Sequence, residues 1–361
     1  MLDFQEYADY FVKKRSTIDN TAFRLHYRVT FGLIILLSAL NTSHRYIGSP
    51  ISCMTHAPDT SIVNNYCWIH GTFTSVANVN KTDGIYPGVN PRGTDRNGNE
   101  IYHAWYQWVH MVLFIQALLC YFPRWLWESL EGGKIDMLLQ DLDQETLDYP
   151  EDLQPKRLSV VHYFIRTKGT HNSYTYRFLF CEFLNLANIV GQMFIMNSFL
   201  GGQFMSFGRD VITLSEKENF ETRIDPLNLA FPKMTKCDFH MYGPSGTIQN
   251  FDSLCLLPVN IINEKIYIFL WFWYVFVAVY TSIHLIVKAI TLVSKRFRLF
   301  YLNKISPSIT RDDLKVILKN CNYGDWFLLI QLGKLIQPMT YHDLILDVRD
   351  RLDKKRAENL E

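Results

Sequence analysis

Apolar residues in this chain are bunched into four runs separated by long polar stretches. The runs lie at about 23–45, 104–125, 176–200 and 266–290. A helix needs ~20 predominantly apolar residues to cross a bilayer, and each run meets that length. The fourth, IYIFLWFWYVFVAVYTSIHLIVKAI, is the clearest, because its first charge is Lys288. At ~1.5 Å per residue it reaches ~37 Å, enough to cross ~30 Å of hydrocarbon with some tilt. The pattern predicts an all-α membrane protein built on a bundle of four transmembrane helices. The mean hydropathy of −0.03 conceals this, because the polar stretches offset the runs.

Lys and Arg near the span ends set the expected orientation. Lys13, Lys14, Arg15, Arg24 and Arg28 precede the first span, and Arg124 and Lys134 follow the second. Arg166, Lys168 and Arg177 precede the third, and Lys288, Lys295, Arg296, Arg298 and Lys304 follow the fourth. Near the opposite span ends lie only Arg45, Arg92, Arg96, Arg209 and Lys265. Both termini and residues 126–175 are therefore expected in the cytosol, and residues 46–103 and 201–265 outside. No charged-then-apolar segment with a small-residue cleavage site opens the chain, so no cleaved signal peptide is expected. Residues 1–14 place Leu2, Phe4, Tyr7, Tyr10 and Phe11 at mixed helical spacing, as in a short amphipathic helix lying on the membrane.

The cysteines fit this topology. Cys53, Cys67, Cys237 and Cys255 all fall in the two segments assigned outside. An even number there reads as two disulfides, and four cysteines allow three connectivities. Pairing within each loop would close two small rings, whereas pairing between loops would tie both into one cap. Cys120, Cys181 and Cys321 are expected to be free thiols. Tyr242-Gly-Pro-Ser-Gly246 is a turn signal, so a short β ribbon is expected around it. Asn80-Lys-Thr is a candidate glycosylation site.

Two spans carry polar stripes. Glu182, Asn185, Asn188 and Gln192 share one arc of span 3, and a carboxyl group facing lipid is costly. Hydrogen bonding between helices of one subunit is the simpler reading of that arc. Thr30, Ser38, Asn41 and Arg45 share an arc of span 1. They suit either a water-filled pathway or a packing seam. Gln116, mid-span, should face another helix or a pore. Trp105, Tyr106 and Trp108 read as an interfacial anchor, with Gln107 at the wet end and Pro123-Arg124 at the cytosolic exit.

Little suggests chemistry. Glu131-Gly-Gly-Lys134 lacks phosphate-loop spacing, and Gly243-Pro-Ser-Gly246 is not a nucleophile elbow. No Cys-x-x-Cys or His-x-x-x-His pair points to metal. A net charge of +1 gives no basis for nucleic-acid binding. The chain is expected to be no enzyme and to need no cofactor or metal. Ile135–Leu142, Leu158–Ile165 and most of 305–361 read as amphipathic helices forming one helical cytosolic dome. Thr310-Arg-Asp-Asp313 and Thr340-Tyr-His-Asp343 read as their N-terminal capping boxes.

Trp105-Tyr-Gln-Trp108 resembles the signature that opens the second span of innexins, with Trp105 where the family usually has Tyr. Further segments resemble the same family in order: Phe23-Arg-Leu-His-Tyr27, Tyr46-Ile-Gly-Ser-Pro-Ile-Ser-Cys53, Tyr66-Cys-Trp-Ile69, Pro123-Arg-Trp-Leu-Trp127, Phe231-Pro-Lys-Met-Thr-Lys-Cys237, Leu256-Leu-Pro-Val-Asn260 and Gly324-Asp-Trp-Phe327. The likeness covers nearly the whole chain and is strongest to insect members. It implies a plasma-membrane, multi-pass subunit of a large-pore channel. Such channels contain eight copies, identical or mixed with other innexins, and dock with a hemichannel of a neighbouring cell to form a gap junction. It implies nested disulfides, Cys53–Cys255 and Cys67–Cys237. It also implies that residues 1–22, with Met1, Leu2, Asp3 and Phe4, fold into the pore, and that Thr30, Ser38 and Asn41 belong to the pore wall. Residues 291–361 would form the cytosolic tail. The alternatives are a non-docking hemichannel, favoured if Asn80 carries a glycan, and a non-conducting adhesion or scaffold protein.

Overall fold

The computed structural model describes residues 18–57, 59–75, 89, 100–139, 153–215 and 226–358. Among them, four helices are long and apolar enough to cross a membrane. The first, α1 (Thr21–Ile47), opens at Asn20, whose Oδ1 accepts the Phe23 amide at 2.7 Å. Its turn Leu25–Thr30 is π-helical, and the Thr30 hydroxyl donates to the Leu25 carbonyl five residues back at 2.9 Å. Short elements follow: β1 (Ser52–Met54), α2 (Thr60–His70), β2 (Thr72–Ser75) and β3 (Glu100–His103). Asp59 caps α2 by accepting the Ser61 amide at 2.8 Å.

The second long helix, α3 (Val109–Glu131), is preceded by a 3-10 turn over Trp105–Gln107. It runs on past Pro123, beyond the point where the sequence suggests that the span leaves the membrane. A proline inside a helix removes one backbone bond, but residues just beyond it are firmly held. Trp127 is buried against Tyr174 and Phe178, and Arg124 pairs with Asp19 and Glu128 at 2.5 and 2.7 Å. Then come α4 (Lys134–Leu139), α5 (Leu153–Arg166) and the third long helix, α6 (Asn172–Phe199). Next are α7 (Phe204–Ser215), α8 (Pro226–Ala230), β4 (Met234–Tyr242), β5 (Ile248–Leu256) and the fourth long helix, α9 (Pro258–Val293). The tail forms α10 (Lys295–Ile305), α11 (Arg311–Asn320), α12 (Tyr323–Leu335) and α13 (Pro338–Glu358).

The described chain divides into two compact units. One comprises Leu25–Tyr121 and Leu186–Tyr280. The other comprises the described residues up to Arg24, Phe122–Asn185 and those from Thr281 onward.

The first unit contains an antiparallel sheet of order β1-β5-β4-β2-β3. The β4–β5 ribbon expected around Tyr242–Gly246 is its centre. Strands from 46–103 flank that ribbon on both sides, making a sheet larger than the ribbon alone. The same unit has an apolar helical core including Ile34, Leu113, Ile189, Phe204, Phe231, Tyr267 and Tyr274. Gly208 brings α7 against α9: a Cβ there would lie 2.1 Å from the Trp271 ring.

In the second unit the tail helices pack with those of 126–175, as the amphipathic patterns suggest. Arg157 of α5 reaches Asp343 and Asp347 of α13 at 2.7 and 2.8 Å. Helix α12 is buried from Gly324 to Leu332, which suits a helix apolar on all sides. Asn322 and Asp325 form its capping box. The Asp325 carboxylate also accepts the Gly169 amide, and Asn172 Oδ1 accepts the Gly324 amide at 2.9 Å. Thr340 is no cap: α13 starts two residues earlier, at Pro338, a residue preorganised for the first helical position.

A Cβ on Gly324 would stand 2.4 Å from the backbone at His171 and Asn172. Backbone cannot move aside as a flexible side chain can. Gly324→Ala is therefore expected to lower stability by about 1–3 kcal/mol, read as a drop in melting temperature. Asn320→Ala, at the nearby end of α11, should shift it far less.

Candidate functional site

The disulfides organise the sheet-bearing unit. Cys53 is bonded to Cys255, across the β1–β5 pair, and Cys67 to Cys237, joining α2 to β4. Both bonds run between the two inter-span segments, so of the three connectivities the structure has the nested one. The sulfurs of Cys53, Cys67 and Cys255 lie within 4.8 Å of one another. All three are oxidised and offer no thiolate to a metal. Around them Ile51, Val63, Tyr106 and Leu257 form a small apolar core. Cys120, Cys181 and Cys321 are free and buried.

The motif that opens span 2 forms a joint with α2. Only Trp108 is exposed. Tyr106 is buried and packs on Trp68, while Trp105 packs edge-on against Phe199 and Phe231. Gln107, expected to need no partner, donates its side-chain amide to the Trp68 carbonyl and, at 3.3 Å, to the Ile69 carbonyl. Those carbonyls belong to the last turn of α2, which lacks helical donors for them. Arg45 donates to the Gln107 carbonyl at 3.0 Å and lies over the Trp68 ring. Nothing in the spacing of Gln107 pointed to α2, because the contact spans nearly forty residues of chain.

The polar stripes face inward. Thr30, Ser38 and Asn41, expected at the pore wall, are buried within the chain. Trp273 Nε1 donates to the Thr30 hydroxyl at 3.0 Å, Ser38 donates to the His110 carbonyl at 2.9 Å, and Asn41 donates to Asn263. The stripe on α1 is thus a seam between helices, the packing alternative of the sequence reading. On α6, Gln192 donates to the Gln116 carbonyl at 2.9 Å and accepts from the Tyr274 hydroxyl at 3.2 Å. Asn185 is buried, as is the Asn188 amide nitrogen, and Glu182 meets Lys288 and Asn20. Gln116 itself is buried among these helices. Met1, Leu2, Asp3, Phe4 and Asn80 lie outside the described residues.

His103, at the end of β3, is buried beside the Thr74 hydroxyl, 2.8 Å away. Burial pulls its pKa down to about 4. The folded chain keeps this ring neutral while the unfolded chain protonates it near 6.5. Stability of this unit should therefore fall as pH drops from about 6.5 to about 4, and level off below. His103→Gln should flatten that slope in melting curves taken across the range.

The far end of the sheet is open. In the β4–β5 turn the Gly243 amide donates to the Thr247 carbonyl at 2.8 Å, and Gly246 takes a φ of +78° that favours glycine. On either side of the turn, Tyr242 and Ile248 are cross-strand partners, 76% and 66% exposed. An aromatic and a β-branched residue presented together beside a tight turn form a ready contact surface.

The innexin family profile matches residues 19–352. The chain is 44% identical over 341 residues to innexin inx2 of Schistocerca americana, covering 94% of each chain. It is 42% identical over 336 residues to innexin inx2 of Drosophila melanogaster, covering 92% of this chain and 90% of that one. Innexin shaking-B of the same fly is 40% identical over 339 residues, with the same coverage.

Proposed function

The chain belongs to the innexin family, whose members are gap-junction and hemichannel subunits, and from that premise we propose that it forms a channel that docks across two cells. Eight copies surround one pore in the plasma membrane, and the joined pores pass ions and small metabolites between cytoplasms. Four helices alone cannot enclose a wide aqueous pore, so the assembly must be oligomeric. Both termini face the cytosol and the sheet faces the extracellular gap, in keeping with the Lys and Arg distribution. No cofactor takes part.

The observation that carries the docking part is the exposed Tyr242–Ile248 pair at the end of a disulfide-tied sheet. Paired-cell recording tests it. Wild type should give junctional current between cells. Tyr242→Ser with Ile248→Ser should reduce that current at least tenfold while leaving single-cell dye uptake intact, the loss expected if a central contact is worth about 1.4 kcal/mol or more. Uptake without junctional current in the wild type would identify a non-docking hemichannel. Neither signal from surface-displayed protein would identify a scaffold.

A further inference from the structure

Helix α10 is amphipathic in an unusual sense: its uncovered face is the aromatic one. Arg298 and Leu302 are buried on one side, where Trp326 Nε1 donates to the Arg298 carbonyl at 3.2 Å. On the opposite side Phe297 and Phe300 are 46% and 62% exposed, flanked by the exposed cations Arg296 and Lys304. At ~100° per residue these four positions share an arc of about 100°.

The end of the fourth span, which leads into α10, carries an exposed stripe of its own. Ile283, Ile286, Ile290 and Val293 of α9 are exposed at an alternating three-and-four spacing, and Phe297, Phe300 and Lys304 repeat that spacing on α10. The helical path breaks only at Ser294, whose backbone is extended at φ −99° and ψ 114°. Side chains on the span part of this stripe are bulky and branched. Helices that pack together inside membranes prefer small residues, so such a stripe suits acyl chains. Just past the span its composition changes to phenylalanine bracketed by Arg and Lys. That is the pattern of a helix lying at the headgroup boundary, where rings enter the acyl region and cations meet phosphate.

We propose that α10 is an interfacial helix that binds anionic phospholipid in the leaflet where α9 ends. Phe297 and Phe300 sit among the upper acyl chains, and Arg296 and Lys304 hold the phosphate and headgroup carboxylate. The buried face meanwhile keeps α10 against α12, so the lipid bears directly on the tail. This goes beyond the channel reading and does not depend on docking or conduction.

The test uses the full-length protein in nanodiscs of phosphatidylcholine, with or without phosphatidylserine. A spin label is attached at Phe300→Cys and, separately, at Phe297→Cys; the native free thiols are buried and should not compete. Labels relaxed by oxygen and shielded from a water-soluble nickel chelate would place the face in the bilayer, as expected. Labels open to the chelate would overturn the proposal in favour of a solvated helix. Labels shielded from both would overturn it in favour of a contact with a second copy of the chain. Independently, R296Q with K304Q leaves the aromatic face intact. It should weaken retention of phosphatidylserine about 30-fold through detergent exchange and leave phosphatidylcholine unaffected. An unchanged preference would overturn the headgroup assignment.

Discussion

Replacing Lys288 by alanine while Glu182 remains should cost about 3–5 kcal/mol of stability, because it leaves a buried carboxylate without its counter-charge. The Glu182 side chain is 3% exposed and that of Lys288 17%. Lys288 donates to Glu182, Asn20 donates to the same oxygen, and His284 Nδ1 stands 3.9 Å away. The ammonium also lies 4.4 Å from the centre of the Phe178 ring and 5.9 Å from that of Phe327. One ion pair thus gathers the lead into α1, the third and fourth long helices and α12. Glu182→Gln combined with Lys288→Met should recover most of the loss, since a neutral pair of similar size carries no unpaired charge. Melting temperatures of Lys288→Ala and of the double variant decide the matter. A double variant as unstable as Lys288→Ala would show that shape, not charge, is what the site requires.

Cys255→Ser should lose about 2–5 kcal/mol and, with it, assembled protein at the cell surface. Cys255 is fully buried and bonded to Cys53, and its strand lies between β1 and β4. Cutting this link leaves β1 held to β5 by backbone pairing alone and strands a thiol on Cys53 beside the second disulfide. Cys321→Ser is the control. Its thiol is buried at the end of α11, and burial pushes its pKa up to about 12, so it is neither ionised nor bonded. Surface biotinylation and non-reducing gels should separate the two variants. Equal loss from both would contradict the division of the cysteines by compartment.

Features with a one-dimensional signature could be read from the chain. Span length and run composition located the four long helices, and the even set of cysteines marked the residues that form the two disulfides. Directions and distant partners were another matter. Periodicity put Thr30, Ser38 and Asn41 on one arc but could not say whether that arc met water or another helix; Trp273 and Asn263, more than two hundred residues away, supply the answer. Gln107 looked like a wet-end residue because its acceptors lie in a helix the sequence marks only weakly. Pro123 marks a span exit in the sequence, but that the helix continues beyond it rests on the burial of Trp127, which the sequence does not show. Strands β1, β2 and β3 are three or four residues long, too short for an alternating pattern to reveal. Thr340 failed as a cap because Pro338 competes for the helix start. The Gly324-Asp-Trp-Phe motif was visible as a string, but its meaning lies in backbone contact with residues 171 and 172.

The interleaved sheet also fixes an order of events during synthesis. Cys53 leaves the ribosome 202 residues before Cys255, and Cys67 leaves 170 before Cys237. At ~5–20 residues per second the first pair of thiols waits about 10–40 s for partners. Through that interval β1 and β2 lack the central strands they pair with, and Cys53 and Cys67 are close enough in sequence to oxidise with each other. The nascent chain must therefore be kept reduced, or be reshuffled by an isomerase, until Cys237 and Cys255 have been delivered. Maturation of this protein should accordingly be slower and more sensitive to the redox state of the secretory pathway than its helical core alone would require.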